Sequence, residues 1–188
     1  VYLPGSFTTG ERQTVPADGL ADFLKQHAGL IPATRAAFLA ADKDRRGALK
    51  KQSGGFVCGT FTGTERRGNQ LESRSCVTLD ADELTAEQGV QLLARLRDFQ
   101  FTTLCYATAS STDAEPHYRV VLPLSAPIPA GRYRGLAAAV EWLLGVPFCR
   151  CSSTAAQLMY FPPRFTDYAA SVWQNNATTL LDPGELVA

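Results

Sequence analysis

Residues 74–82, Arg-Ser-Cys-Val-Thr-Leu-Asp-Ala-Asp, constrain the fold of this chain more than any other segment. Cys76, Val77 and Leu79 make the run apolar enough for a buried strand, and two aspartates close it. A strand of this kind needs covering elements, and the following residues supply them. Thr85-Ala86-Glu87-Gln88 is a capping-box pattern, which predicts a helix of about three turns with Val90, Leu93 and Leu96/Arg97 on its face. Residues 102–108 read as another buried strand, residues 110–116 as a polar turn, and residues 117–124 as a further strand with Pro123 near its end.

The flanks carry weaker signals. Residues 1–18 read as a loose arm. Leu20, Phe23, Leu24 and His27 share a helical face that Gly29 and Pro32 terminate, with His27 a satisfied residue at the core edge. A short helix is expected over 33–41, with Phe38 and Leu39. Residues 42–53 are charged and irregular, 54–59 read as a strand punctuated by glycine, and 62–69 as a hairpin tip. After Pro127 and Pro129 a helix over 132–144 places Tyr133, Leu136, Ala137, Val140, Leu143 and Leu144 on one face. Residues 157–161 form a short strand closed by Pro162-Pro163, residues 168–173 suggest one more, and the chain after Asn175 reads as a linker or frayed end. Strands paired as hairpins between helices imply an α+β sheet with helices mainly on one face, not a doubly wound parallel sheet. The expected division is an arm and helical lead-in over 1–49, a main domain over 50–175 and a tail over 176–188.

A length of 188 residues suits one domain, or one with a small satellite, and 45% hydrophobic against 19% charged residues is a folded composition. No apolar run approaches the roughly 18–20 residues of a membrane-spanning helix. The start, Val1-Tyr2-Leu3-Pro4, has no signal pattern and reads as a trimmed or excised segment. Five cysteines (58, 76, 105, 149 and 151) without a C-x-x-C fit a reducing compartment, with Cys58, Cys76 and Cys105 as small core residues. The zero formal net charge conceals an uneven distribution. Residues 42–79 hold eight basic and four acidic side chains, 80–118 hold seven acids and two arginines, and 119–164 hold five arginines and one glutamate. An acidic block between basic ones is ordinary surface variation, or it sets cation-binding carboxylates beside a phosphate-binding surface.

Asp80 and Asp82 are the sharpest chemical feature. Residues i and i+2 of a strand share a face, so both carboxylates project over the same ground, and like charges so close repel unless a cation lies between them. Magnesium or manganese, with hard oxygen ligands, is the natural occupant, and such a pair supports phosphoryl transfer. The alternative is a turn in which Asp82 or Glu83 caps the next helix. Arg119 lies in an apolar strand beside Tyr118, Val120 and Val121 and requires a partner, either a core carboxylate or a phosphate. Lys50, Lys51, Arg66, Arg67 and Arg74 are candidates for a triphosphate or template backbone, against the plainer reading of solvated surface charges. The sequence contains no P-loop, no H-E-x-x-H and no nucleophile elbow, and its two histidines offer no obvious hydrolase triad.

Gly54-Gly55-Phe56-Val57, the 74–82 run, Tyr106-Ala107-Thr108-Ala109-Ser110, Tyr118-Arg119-Val120-Val121-Leu122-Pro123-Leu124 and Gln157-Leu158-Met159-Tyr160-Phe161-Pro162 occur in that order. Together they resemble the primase–polymerase domain of phage and plasmid replication proteins, in the archaeo-eukaryotic primase superfamily, over roughly residues 50–165. The resemblance implies an RRM-like sheet with an additional N-terminal α/β unit packed beside it and an active site between them. It implies metal binding by Asp80 and Asp82, contact of Arg119 with the phosphates of an incoming nucleotide, and nucleotide binding by Lys50, Lys51, Arg74 and Ser110. Arg66 and Arg67 would then face nucleic acid. The implied activity is primer synthesis or extension from nucleoside triphosphates on a single-stranded DNA template with Mg2+ or Mn2+, in the cytoplasm of a bacterial host. Such domains often precede a helicase domain.

Two positions depart from the family pattern. Ala109 stands where the second motif has histidine, and Cys149 stands where the third has aspartate. Cysteine is a poor ligand for magnesium, and His117 and Asp167 are the nearest substitutes. A second reading is therefore a non-catalytic single-stranded nucleic-acid-binding or replication-initiator module that keeps the fold, with Tyr106, Tyr118 and Tyr160 as base-stacking candidates.

Overall fold

The computed structural model describes residues 1, 9–82 and 84–186. Helix α1 (Leu20–Gln26) leads into strand β1 (Gly29–Leu30), and helices α2 (Arg35–Ala40) and α3 (Lys43–Lys50) follow. Strands β2 (Gly55–Phe56), β3 (Gly59–Phe61) and β4 (Leu71–Ala81) precede helix α4 (Ala86–Asp98). Strands β5 (Leu104–Ala107) and β6 (Tyr118–Pro129) then run into helix α5 (Tyr133–Leu144). Strands β7 (Met159–Tyr160), β8 (Pro163–Arg164) and β9 (Trp173–Gln174) and helix α6 (Pro183–Leu186) come last.

The fold is mixed α+β. Its centre is an antiparallel five-stranded sheet in the order β3-β4-β6-β5-β9. Two small pairs flank it, β2 with β7 antiparallel and β1 with β8 parallel. Alternation along β4 sorts the core. Val77, Leu79 and Ala81 point to the face covered by α4 and α5, where Leu92, Leu96, Leu136 and Val140 pack against them. The opposite face is covered by α1 and the β2–β7 ribbon, through Leu24, Phe56, Met159 and Phe161 on Cys76, Tyr106 and Val121. A third cluster joins Ile31, Phe38 and Leu49 to Phe165 and Ala109. No helix among the described residues is long and apolar enough to cross a membrane.

Local chemistry explains the boundaries. The Thr85–Gln88 capping box forms in both directions: Gln88 N–H donates to Thr85 Oγ1 at 3.2 Å, and Thr85 N–H donates to Gln88 Oε1 at 2.9 Å. The buried stripe of α4 is Gly89, Leu92 and Leu96, while Val90, expected on the core face, is 70% exposed. Gly89 permits this rotation because a Cβ there would lie 2.6 Å from Pro116 Cγ. Leu143 of α5 likewise turns outward.

Three expectations are corrected. The charged stretch 42–53 is not irregular: Asp42 Oδ1 accepts from Arg45 N–H at 2.7 Å and caps α3. That helix buries only Leu49, so it has almost no apolar stripe to read. Residues 54–59 are not one strand. They divide between the β2–β7 ribbon and the central sheet, after a turn at Gly54 with φ of 67°. The chain after Asn175 is packed rather than frayed. Leu181 is fully buried in the α4–α5 core and its N–H donates to Pro123 O. Asn175 Nδ2 donates to the carbonyls of Leu96, Phe99 and Phe101, which ties the tail to the end of α4 and the turn that follows it. Strand β6 continues through Pro123, Pro127 and Pro129 because the β4 partner shifts register between Arg74 and Cys76, opposite Pro123. The N-terminal arm was expected as 1–18, and residues 2–8 of it and Glu83 lie outside the described residues.

Candidate active site

The register of three strands builds the site. Asp80 of β4 lies opposite Arg119 of β6, and Arg119 lies opposite Tyr106 of β5. All three side chains point to the face shared with the β2–β7 ribbon. Beside Asp80 the edge of β4 has run past the end of β3 and is met instead by residues 149–152. Asp80 N–H donates to Ser152 Oγ at 2.8 Å, and Asp80 O accepts from Cys149 N–H at 2.7 Å. With its backbone groups turned away from β6, Asp80 faces Arg119 in the arrangement that brings side chains closest.

Arg119 is held at two points. Its Nε donates to Asp80 Oδ1 at 2.6 Å and its Nη1 donates to Tyr160 O at 2.6 Å. Tyr106 OH donates to the same carbonyl at 2.8 Å. Burial is the largest single effect and opposes the Arg119 charge, but the Asp80 carboxylate and the Tyr106 phenol beside it together outweigh burial and raise its pKa. Burial likewise raises the Tyr106 phenol well above its ordinary value.

The β4–β6 register, carried one pair beyond the strands, sets Asp82 beside His117. Nδ1 of His117 lies 3.0 Å from Asp82 Oδ1. That hydrogen bond is the main cause of a lowered Asp82 pKa, against an opposing effect of burial. Lys50, at the end of α3, completes the charged set. Its pKa is lowered by burial, with the Asp82 and Asp80 charges working the other way.

Asp80, Asp82, Arg119 and Lys50 therefore line one cleft of about 220 Å3, together with Tyr106, Ala109, Cys151 and Tyr160. Asp80 is engaged through Oδ1 by Arg119, and Asp82 through Oδ1 by His117. The thiol of Cys151 lies 4.0 Å from Asp80 Oδ2. Two carboxylates on one strand face supply hard oxygen donors of the kind that suit magnesium or manganese. They do not form a self-sufficient cage: among the described residues no group of three His, Cys, Asp or Glu converges on a cation position.

The other residues singled out from sequence are distributed differently. Arg74 is not available to a nucleotide; it is fully buried. Its guanidinium donates to Ala155 O, Cys76 O and Thr78 Oγ1 and stacks 4.4 Å from the Tyr133 ring centroid. A basic residue at the start of an apolar strand looked like a surface charge, and only packing by residue 155 and α5 reveals its core role. Lys51 is exposed and Ser110 is half-buried, and both lie outside the cleft lining. Arg66 Nη1 donates to Ala156 O at 3.0 Å, and Arg67 pairs with Glu65 on the surface. Ala109, where the resemblance leads one to expect histidine, does line the cleft. Cys149 does not: it is Cys151, two residues on, that faces Asp80. Neither proposed substitute fills the third position. His117 belongs to Asp82, and Asp167 Oδ1 accepts from Arg35 N–H at the start of α2. Sequence reading missed Cys151 and the Tyr160 carbonyl. Only the C-x-C spacing, which offers two thiols to one short turn, hinted at the former.

The VapE N-terminal domain family matches residues 20–188. The chain belongs to that family. This VapE N-terminal domain has a fold similar to that of the AEP domain of the cyanophage S-2L primase-polymerase. The TM-score is 0.50 and the identity 16%, over 79% of this chain and 78% of that one. No curated protein matches this chain in sequence.

Proposed function

We propose that this domain is a template-dependent nucleotidyltransferase of the primase–polymerase type, acting in phage or plasmid replication. One observation carries the reading: Asp80, Asp82, Arg119 and Lys50 converge on a single cleft at the end of the central sheet. The similarity in fold to a primase-polymerase AEP domain supports it.

In this reading Asp80 and Asp82 would hold Mg2+ or Mn2+. When bound, the ion supplies charge neutralisation at the triphosphate and activation of the attacking hydroxyl. The substrates are nucleoside triphosphates and a single-stranded DNA template. A 3′-hydroxyl oxygen bonds to the α-phosphorus as the bond to pyrophosphate breaks. Arg119, fixed by Asp80 and the Tyr160 carbonyl, presents its remaining edge to phosphate without having to be ordered during the reaction. Lys50 reaches the same space from α3, and its partly desolvated ammonium gains most from a phosphate partner. A helicase domain in the same protein would use the product. An RRM-like relationship among β4, β5 and β6 belongs to this reading as well.

The second reading, a non-catalytic single-stranded nucleic-acid-binding module, is favoured by Ala109 and Cys151, which leave the cleft without the family's imidazole and third carboxylate. Templated incorporation with manganese separates the two. The proposal expects incorporation that Asp80→Ala or Asp82→Ala abolishes and that Ala109→His with Cys151→Asp increases. Incorporation unchanged in both alanine variants would overturn it.

A further inference from the structure

A second cavity of about 220 Å3 opens on the other face of the same sheet end, lined by Leu93, Arg97, Tyr118, Tyr168, Ser171 and Trp173. Strand alternation links it to the cleft: Arg119 points to one face of β6 and its neighbour Tyr118 to the other. Three aromatic rings thus converge from three separate segments, β6, the loop before β9, and β9 itself. Tyr118 is half-buried and lies near Tyr168. Tyr168 is 39% exposed, and the Arg35 guanidinium sits 4.8 Å from its ring centroid on α2. Arg97, from the last turn of α4, is exposed and makes no hydrogen bond or ion pair among the described residues.

We propose that this aromatic cavity binds an unpaired base of single-stranded nucleic acid. The inference rests on the functional reading above, because it supplies the template strand that reading requires with a grip outside the cleft. The chemistry selects this ligand. Several aromatic rings around one small space suit a flat π-system, and stacking on them is tolerant of base identity. The cavity is smaller than the roughly 300–1,000 Å3 of cofactor pockets, so it suits one ring system rather than a whole cofactor. The unpaired guanidinium of Arg97 at the rim suits the phosphate that accompanies each base. Ser171 offers an exposed hydroxyl for a base edge.

The test uses fluorescence of the two tryptophans, Trp142 and Trp173. Trp142 is 80% exposed on α5, so Trp142→Phe removes its signal without disturbing the core. In that background, a short oligothymidylate should quench Trp173 saturably. Tyr168→Ala should weaken affinity by about 5- to 150-fold, the range for loss of one base stack, while Tyr168→Phe keeps it. Arg97→Gln should reduce the slope of log affinity against log salt by about 0.7, as for one phosphate contact on a single strand. Binding detected by anisotropy with unchanged Trp173 emission and unchanged affinity in Tyr168→Ala would overturn the inference, as would absence of oligothymidylate binding. Templated incorporation that depends on Asp80 but is indifferent to Tyr168 would remove this inference and leave the functional reading standing. Cavity binding without any incorporation would do the reverse.

Discussion

Arg119 Nε lies 2.6 Å from Asp80 Oδ1 across the β4–β6 pair, and each side chain is only 7% exposed. A buried pair of this kind is weak evidence for stability in itself, but breaking it from one side leaves an uncompensated charge. Arg119→Ala should therefore cost about 3–5 kcal/mol in urea denaturation. Arg119→Lys should rescue little, because one ammonium cannot span Asp80 and the Tyr160 carbonyl as the guanidinium does. The double variant Asp80→Asn, Arg119→Met should lose less than the two single losses added together; strict additivity would show that the two side chains are not coupled.

Arg74 and Lys50 should separate cleanly. Arg74→Met removes the donors that satisfy Ala155 O, Cys76 O and Thr78 Oγ1, and should cost about 1–3 kcal/mol in denaturation with no change in triphosphate affinity. Lys50→Ala should do the opposite, weakening triphosphate binding while leaving the denaturation midpoint nearly unchanged. A drop in triphosphate affinity in Arg74→Met at unchanged stability would contradict the buried placement.

Two helical glycines should respond with opposite signs. Gly89→Ala drives a methyl to 2.6 Å from Pro116 Cγ and should lower stability by about 1–3 kcal/mol. Gly47→Ala in α3 meets nothing within 4 Å and should raise it by about 0.5–1 kcal/mol. Thermal midpoints of the two variants measured side by side check both.

Burial, then Cys149 and the Asp80 charge, push the Cys151 thiol up to about 12. It should stay protonated at pH 8 and react with iodoacetamide at least about 100-fold more slowly than a free cysteine of pKa about 8.5. Peptide mass spectrometry after timed alkylation reads this directly. The sign for stability follows. The unfolded thiol ionises near pH 8.5 and the folded one only near 12, so the contribution is complete below 8.5 and is lost as pH rises through that window.

The sequence by itself determined the local elements and part of the site. The 74–82 strand, the Thr85–Gln88 cap and the α5 stripe were legible because alternation, capping and helical periodicity are written in adjacent residues. Asp80 and Asp82 were legible as a pair because the two-residue period of a strand fixes their common face. Residues 42–53 were not legible, since a charged helix that buries only Leu49 carries almost no periodic signal. What the tertiary structure alone decided is which partner each polar side chain meets. Arg74 and Arg119 both lie on apolar strands, yet one became a core hydrogen-bond hub on Tyr133 and the other a cleft residue on Asp80. Cys151 rather than Cys149 faces Asp80 because residues 149–152 dock on the edge of β4 left open beyond β3. Such choices depend on register between strands far apart in the chain, and no short stretch of sequence encodes the strength of a contact that exists only once the sheet has closed.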